Sequence, residues 1–232
     1  MRPGMFELFI GNKNYSSWSL RPWVLMRQLN IPFREKLVPF GGARDPDAFR
    51  SFSPTGKVPA LVDGHITVWD SLAITEYVGE RYAGVWPAEA EARAWARSAS
   101  AEMHSGFQAL RNACPMNCGI RVTLKSVPSP LTRDLARLEE LWADGIGRFG
   151  GPFLTGARFC ATDAFFAPVA FRVQTYDPPL NAGARRYASH LLALQSMRDW
   201  YSAALQETWR DEEHEMEAHA MGIWREDLRA RP

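Results

Sequence analysis

The chain has 232 residues, 46% of them hydrophobic, and a formal net charge of +1. That is enough apolar material for one large or two small packed units without staples, and it excludes a disordered chain. The near-neutral balance gives no basis for nucleic acid or an anionic membrane as partner. No apolar run is long enough to span a bilayer, residues 1–10 lack a signal-peptide pattern, and three cysteines cannot build a disulfide framework; a cytoplasmic protein with reduced thiols is the expectation.

In chain order, residues 5–10 alternate Phe6, Leu8 and Ile10, the pattern of a first strand. Residues 18–29 predict a helix, with Pro22 tolerable only near its first turn and with Asn30 and Pro32 stopping it. Residues 33–38 predict a second strand, followed by a Gly, Pro and Asp-rich loop from Pro39 to Pro54. "VPALVDGHITVW" predicts a hairpin turning at Asp63-Gly64, with positive φ at both turn positions. "DSLAITEYVGERY" predicts a helix whose apolar face is Leu72, Ile74, Tyr77 and Val78. After Pro87 no strand is predicted, and helical patterns cover Ala88 to Asn112, Leu131 to Phe149, Asp163 to Tyr176 and Tyr187 to the tail. The expected organisation is an α/β unit over residues 1–83 and an all-α unit over residues 89–232.

Three short stretches carry candidate chemistry. Ser16 and Ser17 precede the first helix, where serine is either a cap or a hydroxyl aimed at a ligand. Val58-Pro59 precedes a strand; with a cis bond it would present the Val58 backbone outward as a template for a peptide-like ligand, and the sequence leaves the isomer open. Asp70-Ser71 opens a helix: Ser71 and the adjacent amides suit a carboxylate, and Asp70 suits an ammonium group, the two ends of an amino acid. Taken alone, each stretch also reads as ordinary capping.

Together, "NYSSWSLR", "GKVPALV", the hairpin and "DSLAITEY" resemble the thioredoxin-like half of glutathione transferases, and the helical remainder resembles their second domain. The resemblance implies a mixed four-stranded sheet, glutathione as co-substrate and a homodimer. It implies that Val58 and Pro59 pair with the cysteinyl part of glutathione, that Asp70 and Ser71 hold its γ-glutamyl end, and that Lys57 meets the glycyl carboxylate. "SSWSLR" is similar to the zeta-type pattern Ser-Ser-Cys-x-x-Arg with Trp18 in place of cysteine. On that match Ser16 donates to the glutathione sulfur and Ser17 assists binding. "GFQALRN" is similar to a second zeta-type pattern, giving Gln108 and Asn112 a glutathione contact, with a hydrated surface pair as the equal alternative.

If "EMHSGF" lines the cleft, then Trp18, Met103, His104, Phe107 and Arg111 face a small hydrophobic electrophile; core packing is the alternative for Met103 and Phe107, and a structural role for His104. The zeta isomerases that act on maleylacetoacetate carry an arginine at a position held here by Thr175, with Arg172 one turn earlier. The expected activity is therefore conjugation of glutathione; a zeta-type isomerase or a non-catalytic glutathione-binding protein are the alternatives. A cysteine-type reductase needs a cysteine at position 16 or 17. No metal site is expected: Cys114 and Cys118 lack nearby partners, and His214 and His219 are five apart where a zinc-protease helix needs four; a solvated terminal helix is the expectation there. "CATD" predicts a helix start with half a capping box, Asp163 reaching back to the Cys160 N–H.

Overall fold

The computed structural model describes residues 5–40 and 49–230. Part of the loop expected between Pro39 and Pro54, and the outermost residues of both expected units (1–4 and 231–232), lie outside the described residues. β1 (Phe6–Ile10) sits inside a four-stranded sheet of order β2-β1-β3-β4. It runs parallel to β2 (Phe33–Leu37) and antiparallel to β3 (Ala60–Asp63), which pairs antiparallel with β4 (Ile66–Trp69). Phe6, Leu8 and Ile10 are buried as their alternation requires.

α1 (Ser17–Gln28) connects β1 to β2. It ends in a Schellman motif: Asn30 is left-handed (φ 55), its N–H bonds Arg27 C=O (3.2 Å), and the Ile31 N–H bonds Met26 C=O (2.8 Å). Pro22 lies beyond the first turn, inside the helix, where its missing N–H leaves the Trp18 carbonyl without the usual i+4 donor. The hairpin differs from expectation by one residue. Asp63 faces Ile66, the turn residues are Gly64-His65, and only Gly64 carries positive φ (62). Glycine at the first turn position fits a II′ turn, whereas Asp63-Gly64 would have needed I′ geometry. α2 (Ser71–Gly79) follows β4 directly.

The second half is mainly helical, with two corrections. The helix expected from Ala88 to Asn112 is α3 (Ala90–Ser105) and a short α4 (Gln108–Ala113), broken at Gly106 and at Phe107, which is left-handed (φ 57). The residues after Pro87 also contain strands: β5 (Ile120–Leu124) and β6 (Gly222–Asp227) form an antiparallel ribbon. Between them run α5 (Ser129–Phe149), α6 (Ala161–Tyr176), α7 (Ala182–Leu192), α8 (Gln195–Gln206) and α9 (Glu212–Met221). The stretch expected as one helix from Tyr187 onward is therefore three helix segments and a strand.

α6 is buried along nearly its whole length and packs against α1, α3 and α7. Its start carries both halves of a capping box where only the Asp163 half was expected: the Cys160 side chain takes the Asp163 backbone N–H, and Asp163 reaches back to the Cys160 N–H. The fully buried Asp163 carboxylate accepts from the backbone N–H groups of Cys160 (3.0 Å) and Leu154 (3.0 Å) and from the Tyr187 hydroxyl (2.7 Å). Among the described residues, no helix is long and apolar enough to cross a membrane.

Candidate functional site

The loop between β1 and α1 sets the position of both serines. Asn12 C=O accepts from the backbone N–H groups of Tyr15 (3.2 Å) and Ser16 (2.8 Å), and Asn12 Oδ1 accepts from Phe40 N–H (2.6 Å). Ser16 is the N-cap residue of α1, yet its side chain makes no capping bond. Its hydroxyl donates to Ser19 Oγ (2.7 Å), which also accepts from the Gly11 N–H (3.2 Å). Ser17, the first helical residue, has no side-chain hydrogen bond among the described residues and lines a cavity of about 500 Å³. Neither serine caps, so the positive end of α1 is left open to an anion. The uncommitted hydroxyl proton at that end belongs to Ser17.

Tyr15 is a neighbouring hydroxyl with its proton engaged. It donates to Glu215 Oε1 (2.6 Å) and accepts from Arg229 Nη1 (3.3 Å). Burial and the Glu215 carboxylate hold its pKa far above the ordinary phenol value. It cannot easily supply a second, ionisation-promoting donor.

A second cavity, about 480 Å³, is lined by Trp18, Thr55, Lys57, Val58, Pro59, Trp69, Asp70 and Ser71. It gathers all five residues expected from "GKVP" and "DS", with Thr55 and Trp69 added. The Val58-Pro59 bond is cis, and the Val58 N–H and C=O make no hydrogen bond among the described residues. The cap of α2 is Asp70 and not Ser71, which is the first helical residue: Asp70 Oδ1 accepts from Leu72 N–H (2.8 Å) and Ala73 N–H (3.3 Å). It does so at a positive φ of 74, a conformation costly for a non-glycine residue and typical of sites where geometry outweighs local comfort. Ser71 Oγ accepts from Arg21 Nη1 (3.3 Å), which leaves its own proton available.

Trp18, Lys57 and Val58 line both cavities, so the serine end of α1 faces the junction between them. The larger cavity has walls of Trp18, Phe40, Phe49, Pro115 and Met116, with Tyr15, Lys57, Arg111, Arg172, His214 and Glu217 as its charged or titratable lining groups. Trp18 and Arg111 line this cavity. Met103 and Phe107 take the core alternative, both buried in the hydrophobic cluster. His104 lies behind Trp18, with its Nδ1 3.4 Å from Arg21 Nη1 and its Nε2 3.4 Å from Asp70 Oδ2. A guanidinium on Nδ1 makes that nitrogen the acceptor and puts the ring proton on Nε2, toward Asp70. Burial then lowers the His104 pKa despite the Asp70 charge. Gln108 and Asn112 bond each other (2.7 Å) on an exposed face and line neither cavity.

Arg172 and His214 were missed as wall residues. The first had a signal, as a cation in the otherwise apolar run "FFAPVAFRV". His214 sits in the segment expected to be solvated; it stacks between Tyr15 (5.1 Å) and Phe40 (5.3 Å) instead.

Three arginines crowd this region, and among the described residues their hydrogen-bond partners are all neutral. Arg21 has Ser71 Oγ and His104 Nδ1; Arg111 has the carbonyls of Gly106 (3.1 Å) and Met103; Arg172 has those of Cys114 (2.8 Å) and Pro168 (3.3 Å). Arg21 and Arg111 both place their guanidinium carbon over the Trp18 ring, at 4.2 and 4.8 Å. Burial, and then the Arg111 charge, pull Arg172 down to about 10. Cys114, Cys118 and Cys160 are free and buried, and burial pushes the thiols of Cys114 and Cys160 up to about 12. Such thiols are inert.

A sequence model of the family described as "Glutathione S-transferase, N-terminal domain" matches residues 15–81. The chain is 43% identical over 65 residues to the dichloromethane dehalogenase of Methylorubrum extorquens, a stretch covering 26% of this chain and 23% of that protein. It is 30% identical over 161 residues to glutathione S-transferase Z2 of Arabidopsis thaliana, covering 65% of this chain and 70% of that one. Among solved structures, a glutathione transferase homolog from Burkholderia with bound glutathione superimposes with a TM-score of 0.65 at 22% identity, over 87% of this chain and 98% of that one.

Proposed function

The chain belongs to the glutathione S-transferase family, and from that premise we propose that it binds glutathione along Val58 and Ser71 and uses the thiolate to attack a small electrophile in the adjoining cavity. The observation that carries this reading is the unspent Ser17 hydroxyl at the uncapped start of α1, where the two cavities meet. The Val58 N–H and C=O would pair with the cysteinyl backbone of glutathione. The Ser71 hydroxyl and the start of α2 would take the γ-glutamyl carboxylate, Asp70 the ammonium, and Lys57 the glycyl carboxylate. The thiol proton leaves to solvent, the sulfur lone pair forms the new C–S bond, and the electrophile's leaving group departs with its electron pair. The reading includes a cytoplasmic homodimer and a role in detoxification.

The test is ultraviolet titration of the thiolate on the full chain mixed with glutathione. Bound thiol is expected to ionise with a pKa of about 6.5–7.5, below the roughly 8.5 of a free cysteine-type thiol. A bound thiol that titrates as in solution would remove the enzyme mechanism and leave a binding protein.

One observation favours a second reading, a zeta-type isomerase acting on a carboxylate-bearing substrate: Arg111 and Arg172 line the larger cavity with only neutral partners. Thr175, at the position of the isomerase arginine, is buried and donates to the Asn117 carbonyl (2.7 Å), so Arg172 would have to take that role. Losing one charge-assisted hydrogen bond costs about 1.5–3 kcal/mol. Arg111→Gln and Arg172→Gln are therefore expected to raise the KM of a carboxylated electrophile by roughly 10- to 100-fold and that of its methyl ester much less. Equal effects on acid and ester would count against the isomerase reading.

A further inference from the structure

We propose that Glu207 is a positioning residue for the serine pair, and that α8 serves as the template on which the serine-bearing loop takes its shape. Trp200, Ala204 and Glu207 recur at i, i+4 and i+7 across the end of α8, so they share one face. All three bond the same short segment. Trp200 Nε1 donates to the Lys13 carbonyl (2.9 Å), and the Ala204 carbonyl accepts from Asn14 Nδ2 (2.6 Å). The Glu207 carboxylate accepts from Lys13 N–H (2.7 Å) on one oxygen, and from Asn14 N–H (3.2 Å) and Asn14 Nδ2 (3.3 Å) on the other. On the far side, the Cys118 N–H bonds the Asn14 carbonyl (3.2 Å).

Both backbone groups of Lys13 and of Asn14 are thus satisfied by residues of the second half of the chain. Two residues later come Ser16 and Ser17. Buried backbone N–H groups need partners, and β1 and α1 supply none to this pair. Glu207 itself is 4% exposed. The neighbouring Lys13 ammonium is ion-paired with Glu35 instead, and Arg210 Nη1 donates to the Glu207 backbone carbonyl (2.7 Å). Burying a carboxylate without a salt-bridge partner is costly, and here it yields a fixed loop geometry and not a charge pair. A forked acceptor with two oxygens is the side chain that can hold two successive amides at once.

Glu207→Gln keeps the shape but replaces one acceptor oxygen with an NH₂ group, so one loop amide loses its partner. The experiment is hydrogen–deuterium exchange of the intact chain, with the ultraviolet thiol titration alongside. Exchange is expected to accelerate at least about ten-fold over residues 12–19 and stay unchanged in the sheet and in α6. The thiolate fraction of bound glutathione at pH 7 is expected to fall about three- to ten-fold, with kcat following it and the KM for glutathione changing less than about two-fold. Unchanged exchange over residues 12–19, or acceleration spread evenly over the chain, overturns the proposal. An ionised thiol in wild type that is identical in the variant overturns it too. The thiol arm rests on the glutathione reading; if wild type shows no ionised thiol, that reading fails and the exchange arm still decides the positioning role. Should Glu207→Gln fail to fold, Trp200→Phe removes the indole N–H from the Lys13 carbonyl along with part of a fully buried ring, and is expected to accelerate exchange over residues 12–19 more than in the sheet; acceleration without that preference overturns the proposal.

Discussion

Ser17→Ala is expected to return the thiol pKa of bound glutathione from about 6.5–7.5 to near 8.5 and to lower kcat/KM at pH 7 by roughly ten-fold or more. The physical reason lies in where the protons already are. Ser16 spends its proton on Ser19 Oγ, and Tyr15 spends its own on Glu215. Among the described residues, only the Ser17 hydroxyl enters that cavity uncommitted, at a helix end whose dipole favours the same thiolate. The thiolate form gains from both, and the thiol form from neither. Ser16→Ala is expected to change the pKa by a few tenths at most. The opposite order would place the donor at Ser16, as the match to the zeta-type motif implies, with Ser19 turning to support it. Equal titration in wild type and both variants would remove serine from the mechanism.

Asp163→Ala is expected to destabilise the fold by about 3–5 kcal/mol. The substitution strips acceptors from two buried backbone N–H groups, on Leu154 and Cys160, and from the Tyr187 hydroxyl. Each orphaned buried donor costs about 1–3 kcal/mol, and water does not reach the site. For a chain of this size, a loss of that order lowers the melting temperature by roughly 10 °C. Tyr187→Phe removes one of the three donors and should cost about 1 kcal/mol. Chemical denaturation of the three proteins checks the ranking. A value for Asp163→Ala within about 1 kcal/mol of wild type would mean that the Leu154 loop relaxes to find water.

The first half of the fold was legible because its signals are local. Alternation in β1, the stop at Asn30 and the Asp70-Ser71 helix start each depend on residues a few positions apart. The cavity beside α2 was legible for the same reason, since Lys57, Val58, Pro59, Asp70 and Ser71 lie in two short stretches. The larger cavity was not. Its walls come from Phe40, Arg172 and His214, which are far apart in sequence and meet only through packing. Ile120, Val122 and Leu124 do alternate, but the partner strand "GIWRED" lies about a hundred residues on and carries no apolar alternation. The spacing of Met103 and Phe107 did read as core, but the break between α3 and α4 was not legible, because the left-handed residue that makes it looks like any other phenylalanine in the sequence.

The grip of α8 on Lys13 and Asn14 has a consequence for how this protein can be recombined. The natural cut for swapping parts between relatives falls in the connection between α2 and α3, which separates residues 12–17 from residues 200–207. A hybrid cut there would keep its sheet and the cavity beside α2, yet it would join a serine loop to a foreign helix face. Heritable or engineered exchange should succeed when these two segments travel as a pair, although more than 180 positions separate them. The smallest transferable part of this site is therefore discontinuous, and it includes a helix that lines neither cavity.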